Sequence, residues 1–375
     1  MLYVANGGLA TLPPAPSITV YAAGSNGCPT PAAVISGNAT GLMQPAGMTL
    51  DSKSNIYVTD VAANSISVFS AGSTGNEVPI EAITNLNIGI DVPLAVALDS
   101  KGNIYLANAG SQDNNGGYDS VTSYPAGSNA NVAPTNTISS GGATDKTLLN
   151  DPDAIALGND NGIWVANALG AASGNGSLIW YAPGSNGNVA PQVVIAGSST
   201  GLNDPVGLAI NSANNPFVLN ATGGPDYAGS VTVYAYTSDG NVAPIVTIQG
   251  TSSSDNTGFE YPSGLALDSS NNIYVTNDGS LSGGSDSVTI YAAGSHGNVA
   301  PMATISGPLT QLDLPSGIAV DSSGNIYVAN DGSDGGNIDS ITVYPPGSNG
   351  NVAPTFSISG TATGLGAPSS IAIEP

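Results

Sequence analysis

The segment Asn330–Ser340, NDGSDGGNIDS, carries Asp331, Asp334, Asn337 and Asp339 with glycines between them. Carboxylate and amide oxygens are hard donors and glycine lets a loop curl, so these four are a candidate Ca²⁺ set. Asp113 with Asp119 (in Asn108–Ser120) and Asp278 with Asp286 (in Asn277–Ser287) repeat the arrangement less completely. Asp226 stands in a loop of the same kind, Asn220–Ser230. None of these loops has EF-hand spacing, and Asp, Asn, Gly and Ser also build ordinary turns. A second set is Asn6, Asp60, Asn108, Asn167, Asn220, Asn277 and Asn330, each ending a segment of the type YVAN. Seven equivalent side chains would line a pore mouth and bind a ligand, or each would bond its own b–c loop, the one that follows it, in an Asx role.

Other chemistries are narrowed by composition. The one histidine, His296, sits in GSHGNVAP where related segments carry Asn26, Asn186 or Asn349, and reads as a solvent-facing turn residue. GSSTG at Gly197–Gly201 fits G-x-S-x-G, but a nucleophile elbow needs a strand-to-helix turn and a histidine partner. Cys28, the one cysteine, lies in the turn-like NGCPTP; it reads as a turn residue, with pairing between chains as the alternative. A Zn site has no Cys or His set to build it. What remains is carboxylate chemistry around a divalent ion or in a pair, with Asp153, Asp204, Glu260 and Asp313 as the candidates.

The net charge of −23 comes from 26 acids against Lys53, Lys101 and Lys146, with no arginine. Such a surface cannot neutralise phosphates, which argues against nucleic acid, and anionic membranes would repel it. No run is long and apolar enough to insert in a membrane as a helix. The opening residues hold no basic n-region or apolar h-region, as in a secreted chain whose leader has been removed. With 50 Gly, 26 Pro and 8% charged residues, the composition points to an all-β protein.

The elements that must position these residues are repeated. PSGIAVDSSGNIYVAN (Pro315–Asn330) recurs at Pro45, Pro93, Pro152, Pro205 and Pro262, each followed by a variable loop and a relative of SITVYPPGSNGNVAPTFSISG. A period of roughly fifty residues suits a propeller blade. Strand a is GIAVD, strand b IYVAN, strand c SITVY and strand d TFSIS, with the alternation of half-buried strands and tight-turn residues between a and b. The chain ends on APSSIAIEP, a strand a, and begins on LYVAN, a strand b. One domain over 1–375 follows: strands b–d of a split blade in 1–44, six complete blades in 45–367, and strand a of the split blade in 368–375. The fold class is an all-β seven-bladed propeller of four-stranded antiparallel blades, with Leu2–Ala5 paired to Ile371–Ile373.

Units of the form P-x-G-[IL]-A-[VL]-D-x-x-G-N-[IL]-Y-V-A-[ND] resemble NHL repeats along essentially the whole chain. The resemblance implies a propeller that serves as a binding scaffold, a lyase or a lactonase-like enzyme. Streptogramin lyases are similar in fold, but rely on histidines that this chain lacks. The expectation is a non-catalytic, extracellular or cell-surface scaffold, binding a protein, a carbohydrate or copies of itself, the last by assembly into a filament or layer, without a cofactor, Ca²⁺ aside. The alternative is a metal-dependent, lactonase-like enzyme at the channel mouth. The b–c and d–a loops share the variable face, where a partner is expected to bind, at Asp113, Asp119, Asp226, Asp278, Asp286 and Asp331 of the b–c loops; the a–b and c–d turns share a face that reads as nearly uniform, with no sector set apart.

Overall fold

The computed structural model describes residues 1–7, 15–84, 89–110, 118–141, 144–169, 175–222, 229–251, 254–279, 285–332 and 339–374. Among these, seven four-stranded antiparallel sheets follow one another in a ring. Blade 1 comprises Pro45–Leu50, Ile56–Asp60, Ser65–Phe69 and Glu81–Thr84, and blade 2 Pro93–Leu98, Ile104–Asn108, Ser120–Tyr124 and Asn136–Ser139. Blade 3 is Pro152–Leu157, Ile163–Asn167, Ser177–Tyr181 and Val193–Ile195; blade 4 is Pro205–Ile210, Pro216–Asn220, Ser230–Val233 and Val246–Ile248. Blade 5 is Pro262–Leu267, Ile273–Asn277, Ser287–Tyr291 and Ala303–Ser306; blade 6 is Pro315–Val320, Ile326–Asn330, Ser340–Tyr344 and Phe356–Ser359. Blade 7 joins Pro368–Ile373 to Leu2–Asn6, Ser17–Tyr21 and Ala33–Ser36.

The closing blade has the expected register, with Leu2 opposite Ile373, Tyr3 opposite Ala372 and Val4 opposite Ile371. Glu374 stands where blade 6 has Asp321. Its amide donates to Met1 O at 3.1 Å, as Asp321 N does to Asn325 O at 3.0 Å, and its carboxylate accepts the Tyr3 hydroxyl at 2.9 Å and the Met1 ammonium at 2.7 Å. In intact a–b turns the Asp instead staples the turn: Asp321 accepts Ser323 N, Asn325 N and Asn325 Nδ2 at 2.8–2.9 Å.

Strands a pack against one another around the axis, including Pro368–Ile373 against Pro45–Leu50. The core lies between blades, one apolar cluster at each of the seven joints; Ile341, Val343 and Ile358 of blade 6, for example, meet Val4 and Tyr21 of blade 7. Hydrophobic burial does not fix how two flat faces rotate on each other, because it has no direction. Hydrogen bonds do. The tyrosine ending strand c reaches into the preceding blade: Tyr21 donates to Thr363 O at 2.8 Å, Tyr234 to Thr200 O at 2.6 Å and Tyr344 to Thr310 O at 2.6 Å, with Tyr181 and Tyr291 doing the same to Thr147 O and Thr257 O. At the rim, a glycine of the c–d turn bridges strand d of the blade before in six blades, as in Gly350 with Ile305 and Gly27 with Ile358; in blade 2 Ala130 holds that place and donates its amide to Ala82 O at 2.7 Å.

Candidate functional site

The site is built at the passage from strand d into strand a, on the face that also carries the b–c loops. The residue before the strand-a proline has a left-handed backbone in six blades: Val92, Asp151, Asp204, Tyr261, Leu314 and Ala367, with φ between 46° and 55°. For non-glycine residues this conformation is strained and needs support. Part of the support comes from the residue after strand b, whose amide donates to the carbonyl of that left-handed residue (Ala109 to Val92, Ala168 to Asp151, Asp331 to Leu314, Gly7 to Ala367).

The strand-b end ring supplies the rest. All seven side chains are fully buried. Asn330 donates through Nδ2 to Ser340 Oγ and Thr342 Oγ1, both at 3.2 Å, and accepts Asp313 N at 3.2 Å. Asn6, Asn220 and Asn277 repeat this with Ser17 and Thr19, Ser230 and Thr232, Ser287 and Thr289, and accept Gly366 N, Asn203 N and Glu260 N. Asn108 makes the same bonds to Ser120 and Thr122, and Asn167 to Ser177. Asp60, with only acceptors, takes three backbone amides instead, from Met43, Gln44 and Ala63 at 2.6–3.0 Å. The side chains are structural, but the loop they hold is the d–a loop rather than the b–c loop expected from the sequence: six of the seven clamp it to their own blade, Asp60 alone also takes a b–c amide, and Asn108 Oδ1 is buried without a partner.

The Asp before strand c has a related duty between blades. Asp119 accepts Asp151 N, Asp286 accepts Leu314 N and Asp339 accepts Ala367 N, at 3.0–3.1 Å; Asn64 does the same for Val92 N at 2.7 Å. Each braces the strained residue of the next blade. Asp278 and Asp331 follow strand b directly and donate their amides to Tyr261 O and Leu314 O at 3.0–3.1 Å. Asp113, Asp226, Asp334 and Asn337 lie outside the described residues, so half of the candidate Ca²⁺ set does. Among the described residues no group of three or more His, Cys, Asp or Glu side chains is placed to hold a metal ion.

One sector of this face departs from its neighbours. Strand a opens with a register shift after its proline, and such a bulge re-aims the unpaired side chain. At this position Ser316 donates to Pro368 O at 2.5 Å, Ser369 donates to Pro45 O at 3.1 Å, and Ser263 donates to Pro315 O. Blade 3 has Asp153 there. Burial pushes its carboxyl up to about 6, with the Asp151 and Asp204 charges adding to the effect. Asp119 is likewise raised to about 6, first by burial, against its bond from Asp151 N, and further by the Asp151 and Asp145 charges. Asp151 is common to both surroundings, and a carboxyl raised in this way can hold a proton at mildly acid pH. Asp153 and Asp204 are among the carboxylate candidates of the sequence; Asp119 stands there as a metal donor and as part of the variable b–c loop face. Asp313 and Glu260 serve through their amides, as bonds to the Asn330 and Asn277 clamps.

The remaining residues fall into place elsewhere. His296 is exposed in a c–d turn, and its Nδ1 also accepts Thr247 N of blade 4 at 3.0 Å, the bond that Asn349 Oδ1 takes from Thr304 N and Asn26 Oδ1 from Ser357 N. Ser199 of GSSTG lies in a turn, its amide held by Asn241 at 2.7 Å. Cys28 is exposed, packed over Gly360 where Asn351 packs over Gly307. Asn38 and Asn220 each begin an Asn-Ala-Thr glycosylation sequence; Asn38 is exposed and Asn220 fully buried.

No protein-family model and no curated protein matches the sequence. Solved structures do match in fold. A hypothetical selenium-binding protein from Sulfolobus tokodaii superposes with a TM-score of 0.68 at 10% identity, over 96% of this chain and 90% of that one. A protein from Lactobacillus plantarum gives 0.64 at 15% identity over 99% of both chains. A protein from Bacteroides fragilis assigned as a 6-phosphogluconolactonase gives 0.58 at 15% identity, over 96% and 98%. At such identities the likeness is one of fold, a seven-bladed propeller.

Proposed function

We propose that the protein is a non-catalytic NHL-type propeller, secreted or held at a cell surface, that presents its b–c loops to a protein or carbohydrate ligand. One observation carries this reading: the polar residues that recur from blade to blade are spent on clamping the ring, which leaves the unlike loops between them as the surface that distinguishes one sector from another. The blade 1 loop, Val61–Asn64, is far shorter than Asn330–Ser340 and shows that the scaffold accepts a minimal connection. Replacing residues 331–339 by Val-Ala-Ala-Asn therefore keeps the ring and removes one loop. Binding of the intact and shortened proteins is compared on immobilised glycans and extracellular proteins, with sedimentation reporting self-association. Retention of a ligand by the intact protein and its loss on shortening supports the reading; equal binding by both overturns it for this loop.

The carboxyl sector of blades 2 to 4 favours a second reading, a carboxylate-based and lactonase-like hydrolase at the channel mouth. Its test is lactone turnover with Ca²⁺ or Mn²⁺ by the native protein and by Asp153→Asn. Turnover that the substitution abolishes displaces the scaffold reading.

A further inference from the structure

On the opposite face, between blades 1 and 2, the a–b and c–d turns enclose a cleft of about 680 Å³. It is lined by Asp51, Lys53 and Tyr57 of blade 1, by Asp99 and Lys101 of blade 2, and by Glu81 from strand d of blade 1. Two of the three lysines in a chain of net charge −23 thus meet at one cleft. Their counterparts in the other a–b turns are Asp160, Ala213, Ser270 and Ser323, and the counterparts of Glu81 are Ala33, Asn136, Val193, Val246, Ala303 and Phe356. At the joint of blades 6 and 7 the equivalent cleft has Phe356 in place of Glu81, has no lysine, and is about 230 Å³. The face that reads as uniform in sequence carries one sector unlike the rest.

The chemistry of this sector is layered. Asp51 and Asp99 lie in the turns, each held by two backbone amides and an asparagine amide at 2.7–2.9 Å, so they are fixed acceptors. Glu81 Oε2 is buried and has no hydrogen-bond partner. An orphan carboxylate oxygen is costly, and a donor arriving in the cleft would remove that cost. Lys53 and Lys101 are exposed and supply the only mobile positive charge there. The complement is a ligand with one anionic group and several neutral donors. A phosphate is disfavoured by three carboxylates, and a neutral sugar leaves the lysines unused. Asp51 and Asp99 are already engaged by amides, which suits a hydroxyl better than a full ammonium.

We propose that this cleft binds a sugar acid, its carboxylate between Lys53 and Lys101 and its hydroxyls donating to Glu81, Asp51 and Asp99. The probe is a tri-galacturonate with one free carboxylate and its other two carboxyls methyl-esterified, titrated calorimetrically into the full chain, with the full methyl ester as the uncharged analogue and glutamate as a zwitterionic one. Lys53→Ser with Lys101→Ser, and Glu81→Ala, restore residues that sister blades carry, so the ring tolerates them. The lysine pair contributes two exposed ion pairs, so its loss weakens tri-galacturonate by about tenfold. The methyl ester binds the native protein about tenfold more weakly than the acid, and the lysine substitutions do not weaken it further. Glu81→Ala weakens both compounds. The protein with the shortened Asn330–Ser340 loop binds tri-galacturonate normally, which separates this site from the loop face. Equal affinity for acid and ester, insensitivity to the lysine substitutions, binding of glutamate alone, or no binding of tri-galacturonate at millimolar concentration overturns the proposal.

Discussion

Asn330→Asp changes one NH₂ to an oxygen and nothing else in shape, yet the ring geometry gives it a large effect. Asn330 is 0% exposed, and its Nδ2 faces Ser340 Oγ and Thr342 Oγ1 at 3.2 Å, with Val328 O and Ser340 O at 3.4 Å. A carboxylate there turns two carbonyls into repelling neighbours. The hydroxyls of Ser340 and Thr342 can rotate to donate, but one backbone amide, Asp313 N, is all the main chain offers. Asp60 shows what a carboxylate requires at this position, since it has three amides. A buried charge so poorly served costs about 3 kcal/mol, the low end for a broken buried pair because the hydroxyls compensate in part. With an unfolding entropy of roughly 2.1 cal/mol/K per residue, a cooperative unit of this length loses about 4 °C in Tm. Burial raises the pKa of the introduced carboxyl in the folded state above its unfolded value. The penalty is therefore complete above the folded pKa, shrinks as pH falls through it, and vanishes below the unfolded pKa of about 3.9. Calorimetric melting of both proteins from neutral to acid pH reads this directly. Equal Tm at neutral pH with no differential pH slope would mean that the ring side chains stand open to water, and would return them to the ligand-binding alternative.

Two further outcomes follow from the joints. Cys28→Asn supplies at the joint of blades 6 and 7 the acceptor that Asn76, Asn241 and Asn351 provide to Ala39 N, Ser199 N and Leu309 N at 2.7–2.8 Å; one neutral bond of about 1 kcal/mol slows exchange of the Ala362 amide by roughly fivefold, and unchanged exchange refutes the equivalence. The joint tyrosines resist ionisation: burial pushes Tyr21 up to about 12, against its bonds to Thr19 and Thr363, and pushes Tyr234, Tyr291 and Tyr344 higher still. Because the folded pKa is raised, their stabilisation is whole below pH 10 and lost as pH climbs past about 12, so the last phenolates to form should appear together with loss of the β-sheet circular dichroism signal; complete ionisation of all 15 tyrosines in an intact fold refutes it.

The ring was legible because blade, turn and strand chemistry repeat together: the alignment of Glu374 with Asp321 and Leu2 with Ile326 already contained the closing register. The site was less so. That Asn330 ends a strand is visible in sequence, but whether its amide faces water or Ser340 depends on the turn of a loop with no signature of its own. Asp153 looks like any acid near a strand until the bulge after Pro152 aims it where sister blades aim a serine. The lysine cleft escaped because its members come from two turns and a strand d, and only the packing of blade 1 on blade 2 unites them. Comparing loops one at a time makes each of these charges an isolated variation.

The closing ladder also has a mechanical meaning. Leu2 pairs with Ile373 at the end where the chain enters and leaves, and the ladder runs from there to Asn6 and Pro368. A pull that separates these two ends loads the pair at its first rung, breaking bonds one after another rather than all at once. The ring thus has a direction of weakness under tension, at blade 7, even though Tyr21 and Gly27 secure that blade to blade 6 against heat and solvent.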